Sequence, residues 1–197
     1  MQEDKERWLK AQRWETNWWG NCISTFGEET KQLLYARKMG LMFHHDGKSP
    51  YNIDMQGKRV LDIGGGPCSL LLKCVNVKGK AIDPLCPPLW VLGRYASAGI
   101  GYQMTAAENI NENDWDEVWI YNVLQHVEDP EKVIANAKRA GKLIRIFEWI
   151  DTPTNQGHPH SLTEECLNKW LGGEGKVEVL KGENTCSGKC YYGIFPT

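Results

Sequence analysis

The chain has 197 residues, 41% of them hydrophobic and 24% charged, the proportions of an ordinary globular domain or of one domain with a small cap. Its net charge of -2 argues against nucleic acid as a partner, since no basic excess is present. The opening residues MQEDKERWLK lack the basic-then-apolar pattern of a secretion signal, and no apolar run reaches the roughly 18 residues that would mark a membrane span.

In chain order, residues 3–19 predict a helix, with Trp8, Ala11, Trp14 and Trp18 spaced three and four apart along one face. Thr25 and Glu28 have the spacing of a capping box, which would open a second helix running to about Phe43. Residues 44–57, rich in turn formers, read as a connection, with His44 and His45 at the helix end. A short apolar strand follows over 58–64, then a predicted helix over 67–76 and a second strand at 80–84. Pro87-Pro88 opens a helix that Gly99 closes. Residues 101–105 and 116–122 read as the third and fourth strands. Asp129-Pro130 starts a helix that ends at Gly141, and 142–150 reads as the fifth strand. Ser161 with Glu164 predicts another capped helix, to about Leu171. Residues 176–180 and 190–195 alternate and predict a final pair of strands, one of them an antiparallel edge strand. The alternation of strands and helices implies an α/β fold: a doubly wound, seven-stranded, mostly parallel sheet of Rossmann-like form. The boundaries this suggests are an N-terminal helical cap over 1–57 and a core over 58–197.

Seven irregularly spaced cysteines suggest free thiols and a cytoplasmic, reducing setting. Cys186 and Cys190 have no second pair and no nearby histidine, so no metal is expected.

The stretch VLDIGGGP, Val60 to Pro67, carries the chemistry. Glycines weaken a strand, so three of them after one mark a sharp turn that something approaches closely. A P-loop would need a lysine that this turn lacks. A dinucleotide fingerprint would need a glycine where Ser69 stands, and Asp62 would repel a pyrophosphate. A carboxylate suits a cation, and S-adenosylmethionine carries an ammonium and a sulfonium but no phosphate. Asp83, at the end of the second strand, could accept both ribose hydroxyls, a device shared with nicotinamide enzymes.

VLDIGGGP, AIDP, AAENI and DEVWIYNVLQHVEDPEKVI together resemble the successive motifs of class I S-adenosylmethionine-dependent methyltransferases, over roughly residues 58–171. The resemblance implies that Asp62, Gly64, Gly65 and Gly66 lie at the methionine end of the cofactor. Asp83 would hold the ribose, Ala107 and Glu108 would lie beside the adenine and Asn122 against the methionine portion, with Pro84 and Val123 also among the cofactor-binding residues. Ala106 stands where such enzymes often place an acid for the adenine amino group.

Methyl transfer asks mainly for alignment, so catalytic residues are hard to read. His126, Glu148, His158 and His160 fall after strands four and five, where ligands bind in such sheets, and are the candidates. The residues after the fourth strand, Asn122-Val123-Leu124-Gln125, differ from those of DNA amino-methylating enzymes. A small-molecule acceptor, methylated on oxygen or nitrogen, is therefore expected, with the aromatic N-terminal helices as a lid over it. The alternative is a catalytically inactive subunit that keeps the cofactor pocket. Oligomeric state is not legible.

Overall fold

A computed structural model describes residues 2–43, 52–183 and 186–197. His44 and His45, with most of the expected connection, lie outside the described residues. Two helices come first, α1 (Gln2–Trp19) and α2 (Phe26–Lys38). The strands are β1 (Ile53–Asp54), β2 (Arg59–Ile63), β3 (Cys74–Val75), β4 (Lys78–Asp83), β5 (Gly101–Met104), β6 (Glu117–Tyr121), β7 (Leu143–Trp149), β8 (Lys176–Glu183) and β9 (Cys186–Pro196). Among them lie α3 (Leu89–Ser97), α4 (Pro130–Ala140) and α5 (Glu164–Leu171).

Seven strands form one sheet in the order β5-β4-β2-β6-β7-β9-β8. The first five of these pair in parallel. β9 runs antiparallel to both of its neighbours, β7 and β8. This corrects the expected antiparallel edge: the reversed strand lies inside the sheet, and β8 forms the border. The chain winds outward from β2 to β5, then returns to β6 and winds the other way. The reversal leaves a crevice beyond the carboxyl ends of β2 and β6, where ligands bind in doubly wound sheets.

Successive residues of each strand point to opposite faces. Leu61, Ile63, Val118, Ile120, Ile144 and Ile146 pack with Val133, Ile134 and Ala137 of α4 and Leu167 of α5. Val60, Ala81, Trp119, Tyr121 and Phe147 pack on the other face with Leu34 and Tyr35 of α2 and Val91 and Tyr95 of α3. Asp129 caps α4 as expected, accepting from the Lys132 amide at 3.0 Å.

The helix expected over 67–76 is absent. Two short 3₁₀ turns, Gly66–Cys68 and Leu70–Lys73, stand in its place, followed by β3, which pairs with β1. Side chains occupy the groups a helix would use. The Ser69 amide donates to the Tyr95 hydroxyl at 3.0 Å, the Leu70 amide to the Tyr121 hydroxyl at 3.0 Å, and the Leu71 amide to Ser69 Oγ at 3.0 Å. Ser69 itself is extended, with ψ 145°.

Three smaller expectations also change. α2 stops at Lys38, before a left-handed Gly40. The Thr25 hydroxyl donates to Glu29 at 2.6 Å and makes no bond to the helix backbone. α5 is capped by Thr163, which accepts from the Cys166 amide at 3.2 Å, and not by Ser161.

Candidate functional site

The β2 strand delivers the chain into a left-handed Gly64, φ +73°. A side chain there would be strained, and its Cβ would stand 2.4 Å from Val123 Cγ2. Glycine thus lets the turn after β2 meet the turn after β6. Gly66, also left-handed, donates its amide to Asp83 Oδ2 at 2.9 Å. The other oxygen, Oδ1, accepts from the Leu85 amide at 2.9 Å. Asp83 is buried, and burial pushes its carboxyl up to about 7 against the pull of those two amides. Each oxygen keeps a further lone pair for a ligand.

Asp62 sits behind the turn. Its Oδ2 accepts from the Tyr121 hydroxyl at 2.6 Å and from the Ser69 hydroxyl. Its Oδ1 is buried without a hydrogen-bond partner. Burial raises this carboxyl also to about 7. Asp62 lines neither of the cavities described below; it ties the turn to β6.

A cleft of about 430 Å³ opens over the strand ends. Gly64, Gly65, Gly66, Asp83, Tyr121 and Asn122 form its floor. Trp14, Glu15, Trp18 and Trp19 of α1 and Glu28, Lys31, Gln32 and Tyr35 of α2 form its walls, with Trp149 at the end of β7. The Trp14 and Trp18 rings stack at 5.5 Å. A smaller cavity of about 70 Å³ lies among Ile82, Pro84, Ala107, Glu108, Val123 and Val127, with Trp8 and Gln12 of α1 also lining it. Glu15, Gly64, Asp83, Asn122 and His126 border both spaces.

Asn122 is left-handed as well, φ 56°, at the end of β6. Asparagine tolerates this conformation better than most residues. Its Oδ1 accepts from Gln125 Nε2 at 2.8 Å. Glu108 lines the small cavity, but its Oε1 accepts from the Glu128 and Asp129 amides at 2.7 and 3.1 Å, so it also holds the entry to α4.

The four expected catalytic residues separate. His126 and His158 line the large cleft with rings 4.6 Å apart. His126 Nδ1 lies 2.9 Å from the Gly157 carbonyl and therefore carries the proton. Burial holds His126 and His158 down to about 4. His160 turns away, its Nε2 at 2.9 Å from the Val127 carbonyl. Glu148 is fully buried beneath the turn after β6, where it accepts from the Val123 amide at 3.0 and 3.2 Å and from the Leu124 amide at 3.0 Å. Burial pushes it up to about 8 despite those amides. Glu148 and His160 line neither cavity.

Sequence reasoning overlooked Glu15 and Gln32. Both sit on helices read for their aromatic stripe, and no local pattern marks a polar residue there as cleft-facing. Among the described residues, no group of three or more His, Cys, Asp or Glu could hold a metal ion, and no helix is long and apolar enough to cross a membrane.

No family model matches the chain. No curated protein matches it either. Solved structures do. Magnesium protoporphyrin IX methyltransferase from Synechocystis PCC 6803, with S-adenosylhomocysteine bound, is 15% identical over 98% of this chain and 94% of its own, with a TM-score of 0.55. The N-methyltransferase NodS from Bradyrhizobium japonicum WM9, also with S-adenosylhomocysteine, is 16% identical over 71% and 77%, with a TM-score of 0.51. The [4+2]-cyclase SpnF is 15% identical over 77% of this chain, with a TM-score of 0.52, and the chain spans 57% of SpnF. The fold is that of the class I S-adenosylmethionine-dependent methyltransferases. SpnF is named for a cyclisation, so the fold does not by itself specify a reaction.

Proposed function

We propose that the protein is an S-adenosylmethionine-dependent methyltransferase that modifies an oxygen or nitrogen of a small molecule. The observation that carries this reading is the shared cleft. The glycine turn, Asp83 and Asn122 converge there from three strand ends, under a wall of tryptophans from α1. The residues present fit the cofactor: a turn open to close approach, a carboxylate with free lone pairs at the end of β4, and buried acceptors that lack partners. Gly64, Gly65, Gly66, Asp83 and Asn122 would hold its ribose and methionine portions. Pro84, Ala107 and Val123 would hold its base. When bound, the cofactor supplies a methyl group already activated by a sulfonium.

The chain's own work is then to position an acceptor and exclude water, which can be worth roughly 7–11 kcal/mol. The α1 and α2 helices, within the 1–57 segment, serve as the lid, and 58–197 as the core. Among the described residues, the cleft lining carries the carboxylates of Glu15, Glu28 and Asp83 against the ammonium of Lys31, which pairs with Glu28 at 2.5 Å. That balance favours neutral or cationic acceptors over anionic ones. His158 stays neutral near pH 7 and presents a ring to the cleft, suited to accept a hydrogen bond from an acceptor.

One observation supports a second reading, a cofactor-binding subunit that transfers nothing: His126, His160 and Glu148 are each engaged with backbone groups. Incubation with labelled methyl donor and pooled metabolites decides between them. A labelled small-molecule product supports the enzyme. Tight S-adenosylhomocysteine binding without any product supports the subunit. Absence of binding overturns both.

A further inference from the structure

Helix α1 places a carboxylate at the boundary of the two cavities and leaves half of it unused. Glu15 Oε1 accepts from the Trp19 indole at 2.9 Å. Its Oε2 is buried with no hydrogen-bond partner. His126 Nδ1 lies 3.5 Å from it and directs its proton to the Gly157 carbonyl at 2.9 Å. That ring is neutral near pH 7, so it supplies no countercharge. Lys31 is the lysine or arginine among the described residues lining either cavity, and Glu28 already holds it. A carboxylate sheltered from water without a positive partner is costly, and a ligand bringing the charge would relieve it. On α2, Gln32 shows the same need for a donor. Its Oε1 is buried and unpartnered, while its amide nitrogen reaches Cys68 Sγ at 3.6 Å.

We propose that Glu15 is the countercharge for a cationic centre of the bound cofactor, so that α1 reads the cofactor's charge as well as covering it. This rests on the methyltransferase reading. It gives the N-terminal helix a binding role that Asp62, set behind the turn, does not fill. The cofactor offers two such centres, its sulfonium and its α-ammonium. After transfer the sulfonium has become a neutral thioether, so a carboxylate facing it would favour the donor over the spent product.

Calorimetric titration of the full chain with S-adenosylmethionine, S-adenosylhomocysteine and methylthioadenosine tests this without any acceptor. Glu15→Gln keeps the size of the side chain and removes the charge. If Glu15 faces the sulfonium, the variant loses about 10- to 100-fold in S-adenosylmethionine affinity, the scale of a hydrogen bond to a charged group, and keeps its affinity for the product. If it faces the ammonium, both weaken alike, and methylthioadenosine, which carries neither charge, does not. Either result supports the proposal. Wild-type affinity of Glu15→Gln for all three ligands overturns it while leaving the cofactor reading intact. Failure of the wild-type chain to bind any of them sinks the reading itself. Glu15→Asp, which retains the charge, guards against a general loss of folding: it should keep more of the S-adenosylmethionine affinity than Glu15→Gln, and equal losses in both variants would also overturn the proposal.

Discussion

Glu148 offers the sharpest separation between a residue that touches substrate and one that holds the site together. In Glu148→Ala the Val123 and Leu124 amides lose their acceptor inside the protein. Each unsatisfied buried donor costs about 1–3 kcal/mol, so the loss is about 4 kcal/mol before any cavity is counted. With a urea dependence of about 2 kcal/mol per molar, the unfolding midpoint should fall by about 2 M. Tryptophan emission in a urea titration reads this directly. Glu148→Gln keeps one oxygen within reach of both amides but sets an amide nitrogen against the Val123 N–H, for a loss of about 1–2 kcal/mol near pH 7. Glu148 is pushed up to about 8 in the folded protein, so the wild type loses stability as pH rises through that value and the variant does not. The gap between them should narrow from pH 6.5 to pH 9. A Glu148→Ala protein as stable as the wild type would refute this reasoning and return Glu148 to the acceptor side.

Other perturbations test the turn, the lid and the buried acids. Gly64→Ala should weaken S-adenosylhomocysteine binding by more than about 10-fold, because a left-handed alanine costs about 1–2 kcal/mol and its Cβ would drive Val123 away; unchanged calorimetric affinity would show that the turn does not form the pocket floor. Gly157→Ala would place a Cβ 2.6 Å from the Trp14 ring and lift α1 locally; a shift in tryptophan emission and weaker cofactor binding are expected, and wild-type values for both would show that α1 is not seated there. Glu15, Asp62 and Asp83 at about 7 and Glu148 at about 8 all bind protons more strongly folded than unfolded, where such groups titrate near 4. The protein without ligand should therefore melt at a higher temperature at pH 6.5 than at pH 9, and a melting temperature rising with pH over that window would contradict the burial of these acids. Below about 6.5 the neutral His126 and His158 oppose the trend, since the unfolded chain then binds the protons they refuse.

The seven strands of the main sheet and the capped α4 were legible because their signals are local. Alternating or apolar runs end at glycine, proline or aspartate, and Asp129-Pro130 writes its own cap. The glycine turn was legible for the same reason. The missing helix after it was not, because hydroxyls that arrive from β6 and α3 take the amides of Ser69 and Leu70. Nothing within residues 67–76 announces two tyrosines that lie 26 and 51 residues further along the chain. Asparagine at 122 was singled out by the resemblance of DEVWIYNVLQHVEDPEKVI to a methyltransferase motif; its left-handed backbone appears in the fold alone.

The misplacement of Glu148 has a simple geometric origin. Nearness to the end of a strand puts a residue beside the crevice, but pleat parity decides which side of the sheet it faces. Along β7, Glu148 shares its parity with Ile144 and Ile146, which face α4 and α5. Phe147 and Trp149 face the opposite layer, with Tyr35, and that is the side on which the large cleft is walled by α2. Asp83 and Tyr121 have the parity of Ala81 and Trp119, so they look toward the same layer. Parity could be counted from the sequence; which layer carried the cleft could not, because that depends on where α1 and α2 return over the sheet. Parity alone does not decide access, however: an acid on α1, unremarkable by any motif, stands closer to the ligand space than the acid that precedes the glycines. Asp62 has the parity of Val60 and faces the cleft layer, yet Ser69 and Tyr121 close over it, whereas Glu15 reaches the boundary of both cavities from above.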